Sequence, residues 1–233
     1  MKFERVFPEE YPNVYSKWKD GNVEWVIQDL PPEDDEEAIK ILVDHLCADE
    51  TLCKTSDLLN DPESVRGMSE FWRIFLGKRM SLGCYASTNG NKKLVALNCC
   101  FVSCKGEDID CEIVGKAWKN VYDVLDYAVS KFDVFEYLGT DKVLEGMGLV
   151  VSRNYRGAKL GSKIVAAREP LCYTQGIKAT ATVFTGIASQ KCAESCGFVT
   201  TFEFPLSEVA ETGLNYSKDD TRLIKLMVKK YDF

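Results

Sequence analysis

The stretch GLVVSRNYRGAKLGSKIVAAREPL, residues 148–171, decides how the chain is read. It opens with an apolar run, Leu149, Val150 and Val151, passes through a short basic turn containing glycine, and closes in an apolar spacing that suits a helix. A strand running through such a turn into a helix N-terminus suits an anion. The first amides of a helix have no partner inside it and point outward with the positive end of the helix dipole behind them. Gly157 and Gly161 let the backbone come close and adopt angles other residues resist. Arg156 and Lys159 add charge, Arg153 lies one turn earlier, and the small Ala158 and Ser162 leave room. Two familiar phosphate loops do not fit. A Walker loop needs GxxxxGK[ST], but Gly161 is followed by Ser162 and Lys163 in the wrong order and register, and no GxGxxG fingerprint occurs. Taken alone, the turn reads equally as an ordinary strand–helix junction with surface charge.

On the N-terminal side, NVEWVIQDL reads as a strand and PPEDDEEAIKILVDHL as a helix, with prolines at its start, acids in its first turn, and Ile39, Leu42, Val43 and Leu46 on one face. DPESVRGMSEFWRIFLGKR reads as a second helix. MSLGCYAS and KKLVALNCCFVSC form a hairpin signalled by Asn89-Gly90. AWKNVYDVLDYAVSKFDVFEYL reads as one long amphipathic helix, and KVLEGMGLVVS as the strand that feeds the turn. Beyond it come a strand (KATATVF), a short helix (GIASQKCAESCG), a strand (FVTTFEFP) and a closing strand (TRLIKLMVKK). Residues 203–220 are expected to be a loop. No repeat, low-complexity tract or long linker interrupts this order, so one mixed α/β domain over residues 1–233 is the simplest account.

Composition narrows the function. The chain has 233 residues, 45 % hydrophobic and 28 % charged, ample for a sizeable core. Its net charge of −7 disfavours nucleic-acid binding, which needs a basic surface. No apolar run approaches the roughly 20 residues that span a bilayer, and the N-terminus lacks the apolar segment of a signal peptide. Ten cysteines without a secretory signal or a CxxC pair suggest reduced thiols in the cytoplasm, most of them buried apolar residues. With the single histidine His45, a Cys/His metal site is not expected.

RGAKLG (residues 156–161) resembles the R/Q-x-x-G-x-G/A segment that binds coenzyme A in the GNAT superfamily of N-acetyltransferases. The order of elements around it is similar too. The likeness extends to the insect arylalkylamine N-acetyltransferase group: LCADETLC resembles that group's acidic D-E-P-L segment, VFTGIASQKCAESCGF its hydroxyl-bearing segment before a terminal Gly-Phe, and REPLCYTQGIKATATVF the stretch between. The resemblance implies an α/β (α+β) GNAT acyltransferase fold, with a central mixed, mostly antiparallel sheet splayed near its middle and flanked by helices. It implies acetyl-CoA as cosubstrate, held by Arg156, Gly157, Ala158, Lys159, Leu160, Gly161 and Ser162, with Leu149, Val150 and Val151 pairing to the pantetheine arm. It further implies a small primary amine as acceptor, of arylalkylamine or polyamine type, and a monomeric protein. Three departures stand out: Lys159 replaces a glycine of the motif, Thr51 replaces the proline of the acidic segment, and Ala193 occupies a position where many GNAT enzymes carry tyrosine.

Acetyl transfer needs a deprotonated amine, a donor to the thioester oxygen, and tight positioning of both reactants. A lone His45 makes a histidine base improbable, and the resemblance assigns that role to Glu50. A carboxylate is a weak base towards an ammonium, so Glu50 would act through ordered water, with its pKa raised by burial, or by binding the ammonium. Ser189 holds the family's hydroxyl position. Thr185, four residues earlier, would share a helix face with it, or cap that helix. Either hydroxyl is a candidate donor to the departing thiolate. Phe71 and Trp72 are candidates to line an amine pocket, against the alternative that such a stripe is core. A coenzyme-binding protein without catalysis and a protein-lysine or N-terminal acetyltransferase remain as other readings.

Overall fold

The computed structural model describes residues 3–107 and 111–233; of the 1–233 span, residues 1–2 and 108–110 lie outside the described residues. The chain begins with an antiparallel pair, β1 (Val14–Asp20) and β2 (Val23–Asp29). A 3-10 turn at Pro32–Asp34 leads into α1 (Asp35–Ile41), which continues as a π-helical segment, Leu42–Cys47. Next come α2 (Thr51–Thr55), α3 (Pro62–Leu76), β3 (Leu82–Thr88), β4 (Asn91–Cys104), α4 (Lys116–Ser130), α5 (Val134–Leu138) and β5 (Lys142–Val151). The C-terminal part adds α6 (Leu160–Ala166), α7 (Arg168–Gln175), β6 (Ala179–Phe184), α8 (Ile187–Ser195), β7 (Val199–Pro205), α9 (Leu206–Glu211) and β8 (Leu223–Lys230).

Local chemistry explains most boundaries. Asn89 and Gly90 both take positive φ, 50° and 81°, which matches the twist of the β3–β4 hairpin. Asp61 accepts from Ser64 N at the start of α3, with Pro62 just inside. Four features differ from the sequence expectation. β1 is an additional edge strand, missed because only Tyr15 and Trp18 turn inward and a register shift breaks its alternation. The long helix is two: Asp133 accepts from Phe135 N and Glu136 N, starting α5 afresh. The basic turn's helix divides into α6 and α7 at Ala167. Within residues 203–220, Leu206, Val209 and Ala210 share a buried helical face and form α9 rather than loop.

Among the described residues, eight strands make one sheet in the order β1-β2-β3-β4-β5-β6-β8-β7, antiparallel throughout except between β5 and β6. The helices α1, α3 and α4 cover one face through residues such as Ile39, Phe75 and Val121. The other face is covered by α6 and α7 through Leu160, Ile164 and Leu171. The parallel pair is where the sheet opens. β5 pairs with β4 from Lys142 to Val151, but with β6 only at Leu144↔Thr180 and Glu145↔Ala181. Beyond Glu145 the two strands diverge, leaving the β6-facing edge of β5 without a strand partner.

Candidate active site

At the C-terminal end of β5 the chain makes the turn quoted above. Arg156, Gly157, Ala158 and Lys159 are all exposed, and no side chain caps the first turn of α6. The amides of Leu160, Gly161 and Ser162 therefore open that helix without a capping partner. Lys159 has φ 55°, in the left-handed region, so lysine adopts the backbone that the motif's glycine would take. Gly157, at φ 88°, supplies the other left-handed position. Gly161 lies buried against Cys192 of α8.

The arginines of the turn are tied inward. Asp49 accepts two bonds from Arg153 and pairs with Arg156 at 2.8 Å. These hydrogen bonds hold its carboxyl at about 2, below the ordinary range. Nε of Arg156 also donates to the Val151 carbonyl at 3.0 Å. Of the β5 residues expected to face pantetheine, Val151 thus has its carbonyl occupied, while Leu149 lines the open cavity and Val150 is packed into the core.

Glu50 is not the last residue of the first helix but the N-cap of α2. One oxygen accepts from Leu52 N (2.9 Å) and from the Thr185 hydroxyl, and the other from Cys53 N (2.7 Å). Thr51 sits at the first position of α2, where a proline is also tolerated, so this departure leaves the turn intact. Thr185 lies before α8 and neither shares its face with Ser189 nor caps it; Gly186 is the N-cap, and Thr185 spans to Glu50 instead. The Ser189 hydroxyl donates to the Gly186 carbonyl at 2.9 Å. All three side chains line one cavity of about 790 Å³, within the range of small-ligand sites. His45 does not line it. Ala193 is fully buried with Val165, Phe184 and Phe198, away from this cluster.

Phe71 and Trp72 are core, not pocket wall. Phe71 is 2 % and Trp72 0 % exposed. The reason is their helix: α3 buries this stripe against Trp118 and the sheet, and Trp72 Nε1 donates to the Met147 carbonyl at 2.8 Å, where a bulge in β5 leaves it free of the ladder. The aromatic lining of the cavity comes instead from Tyr122 on α4, whose ring meets Phe71 edge-on, and from Phe132, Phe135 and Phe184.

Sequence reasoning missed the polar hub at the opening of the sheet. Arg168 is fully buried. Its Nε donates to Asn98 Oδ1 (2.8 Å) and its Nη1 to Thr182 (2.8 Å) and Thr180 (3.2 Å). Asn98 in turn donates to the Gly148 carbonyl, Thr180 donates to the Leu144 carbonyl, and Thr182 accepts from Gly146 N. Side chains thus replace the ladder bonds lost where β5 and β6 part. Gly146 must lack a side chain, since a Cβ there would lie 2.1 Å from Nη2 of Arg168. The sequence did carry a signal: Arg168 interrupts the apolar stripe of Ile164, Val165, Leu171 and Cys172. Glu145, an acid inside the apolar strand KVLEGMGL, is a second such signal and also lines the cavity.

No protein-family model matches the chain, and no curated protein matches it by sequence. Among solved structures, it is similar to a protein of the yellow fever mosquito Aedes aegypti assigned as arylalkylamine N-acetyltransferase 7, at 28 % identity and a TM-score of 0.92, covering 99 % of this chain and 100 % of that one. Arylalkylamine N-acetyltransferase 2 of Aedes aegypti shares the fold at 20 % identity and a TM-score of 0.75, over 91 % of this chain and 100 % of that one. A Salmonella typhimurium protein solved with its cofactor acetyl-CoA shares it more distantly, at 11 % identity and a TM-score of 0.52, over 90 % and 95 % of the two chains. The opened parallel pair and the glycine turn belong to the fold it shares with these structures, and the end-to-end likeness to the mosquito protein supports a place in the insect arylalkylamine N-acetyltransferase-like group of the GNAT superfamily.

Proposed function

We propose that the chain is an acetyl-CoA-dependent N-acetyltransferase for a small primary amine, working as one domain and as a monomer. One observation carries this reading. The open edge of β5 leads to an exposed, uncapped helix turn and borders the cavity that Glu50, Thr185 and Ser189 line. Free amides at the turn suit the diphosphate of coenzyme A, and the strand edge suits the amides of pantetheine. Lys159 fits the cradle because its backbone already has the left-handed geometry. Bound acetyl-CoA supplies the thioester, an acyl group with a good leaving thiolate.

The chain's residues then have defined tasks. The amine nitrogen bonds to the thioester carbon, the carbon–sulfur bond breaks, and the thiolate takes up a proton. Glu50, fixed by its three donors, keeps a carboxylate at the head of the cavity that attracts the ammonium and receives its proton directly or through water. Ser189 and Thr185 also place hydroxyls on this cavity; the thiolate's proton is the one the amine gives up to Glu50, passed on through a hydroxyl that donates one proton as it takes up another. Among the described residues, no helix is long and apolar enough to cross a membrane.

The test is release of free thiol from acetyl-CoA with a panel of amines and lysine peptides, repeated on Glu50→Gln. Amine-dependent thiol, greater with free amines and reduced by the substitution, is the expected result. Thermal stabilisation by coenzyme A without thiol release would assign the chain to coenzyme binding alone.

A further inference from the structure

The cavity does not end at the reacting cluster. It continues along β5 past Met147 and Gly146 to Glu145, and on to a mouth lined by Asp126, Asp133 and Lys105. Glu145 lies opposite Ala181 on β6, and Thr185, the partner of Glu50, stands four residues further along that chain. At about 3.3 Å per residue, Thr185 stands roughly 13 Å along the chain from the level of Glu145, so the two carboxylates line separate parts of one cavity.

Glu145 is built to meet a cation. It is half-buried and lines the cavity. Burial pushes its carboxyl above the usual range, opposed by the nearby Ser103 hydroxyl and by the charge of Arg168. Yet it forms no ion pair among the described residues, because the nearest guanidinium, Arg168, spends its Nε and Nη1 on Asn98, Thr180 and Thr182. Across the cavity, α4 presents Tyr122 and, one turn on, the exposed Asp126. The Tyr122 ring is held edge-on by Phe71 and Trp118, leaving an aromatic surface beside a desolvated carboxylate. An aromatic surface with acids around it stabilises an ammonium or guanidinium. Lys105 at the mouth is exposed.

We infer that Glu145 is a specificity-determining residue that receives a second cationic group of the acceptor. The preferred acceptor is then a linear diamine, or an amine carrying a distal guanidinium, whose reacting end lies at Glu50. This rests on the acetyltransferase reading and deepens it. An aromatic monoamine would place only its ring against Tyr122 and leave Glu145 without a cationic partner inside the cavity.

The experiment measures kcat/KM for linear diamines of graded length and for linear monoamines of matching length, with 2-phenylethylamine as the aromatic comparison. It uses the wild-type chain, Glu145→Gln and the surface variant Asp126→Asn, each checked for folding by its melting transition. The expected result is a length-dependent diamine preference in the wild type. Glu145→Gln should reduce that ratio about tenfold or more, and Asp126→Asn less, both through KM more than kcat. Turnover of monoamines with no diamine preference, or a preference that Glu145→Gln leaves intact, overturns this inference alone. Failure to release thiol with any amine overturns the acetyltransferase reading together with it. Should Glu145→Gln not fold, a diamine ratio unmoved by Asp126→Asn overturns the inference.

Discussion

Replacing Glu50 by alanine tests a consequence of its position that catalysis alone does not imply: it should weaken the fold. Glu50 caps α2 through Leu52 N and Cys53 N, and loss of an N-cap costs about 0.5–2 kcal/mol. It also accepts from Thr185, a bond to a charged group that contributes about 1.5–3 kcal/mol. Both partners are half-buried, so water recovers part of the second term. The sum expected for Glu50→Ala is about 2–3 kcal/mol. For a domain of this size that is a fall in Tm of about 4–12 °C. Glu50→Gln keeps one acceptor oxygen and should lose about half as much. Thr185→Val removes the same inter-element bond from the other side. The double variant Glu50→Ala, Thr185→Val should therefore be less destabilised than the sum of the singles, by about 1 kcal/mol. The assay is urea denaturation of the wild type and the four variants with matched thermal melts. Strict additivity, or a Glu50→Ala protein as stable as the wild type, would refute the linkage between α2 and the residue preceding α8. It would also mean that activity losses in Glu50 variants report chemistry alone.

The other expectations follow from the surrounding geometry. The arginines lower Asp49 to about 2, so its contribution to stability is full above the unfolded carboxylate range near pH 4 and is lost as pH falls through 2. The pair is well exposed, so Asp49→Asn should cost only about 0.5–1 kcal/mol at neutral pH and nothing near pH 2, measured by denaturation across that window. Lys159→Gly relieves a left-handed lysine and should stabilise by about 0.5–1 kcal/mol while weakening coenzyme A binding at low salt; a lower Tm would contradict the backbone assignment. Arg168→Met strands buried acceptors on Asn98, Thr180 and Thr182 and should cost about 2–4 kcal/mol, with Arg168→Lys intermediate; a neutral Arg168→Met would show that the polar hub is dispensable. Trp72→Phe should cost about 1–2 kcal/mol in a denaturant titration through the unpaired Met147 carbonyl, leaving the acceptor KM in place because the ring is core.

Much of this protein is written locally. Asn89-Gly90 specifies its hairpin because few other residue pairs tolerate two consecutive positive φ angles. Asp61-Pro62 starts α3, and the basic turn with Gly157 and Gly161 opens α6, for reasons confined to a few neighbouring residues. Such features survive reading from sequence since their causes are short-range. The resemblance added Glu50, Thr185 and Ser189, which the fold does bring to one cavity. Other properties depend on groups far apart in the chain. Whether Phe71 and Trp72 face a substrate or the core depends on where Trp118 and Met147 stand. That β5 parts from β6 after Glu145 depends on Arg168, Asn98 and Thr182 substituting for backbone bonds. The cavity is the space left by that parting. The sequence alone determined the basic glycine turn between β5 and α6, because backbone angles there are set by adjacent residues. Only the tertiary structure decided which carboxylates line the cavity, because that is fixed by packing between strands and helices distant in the chain.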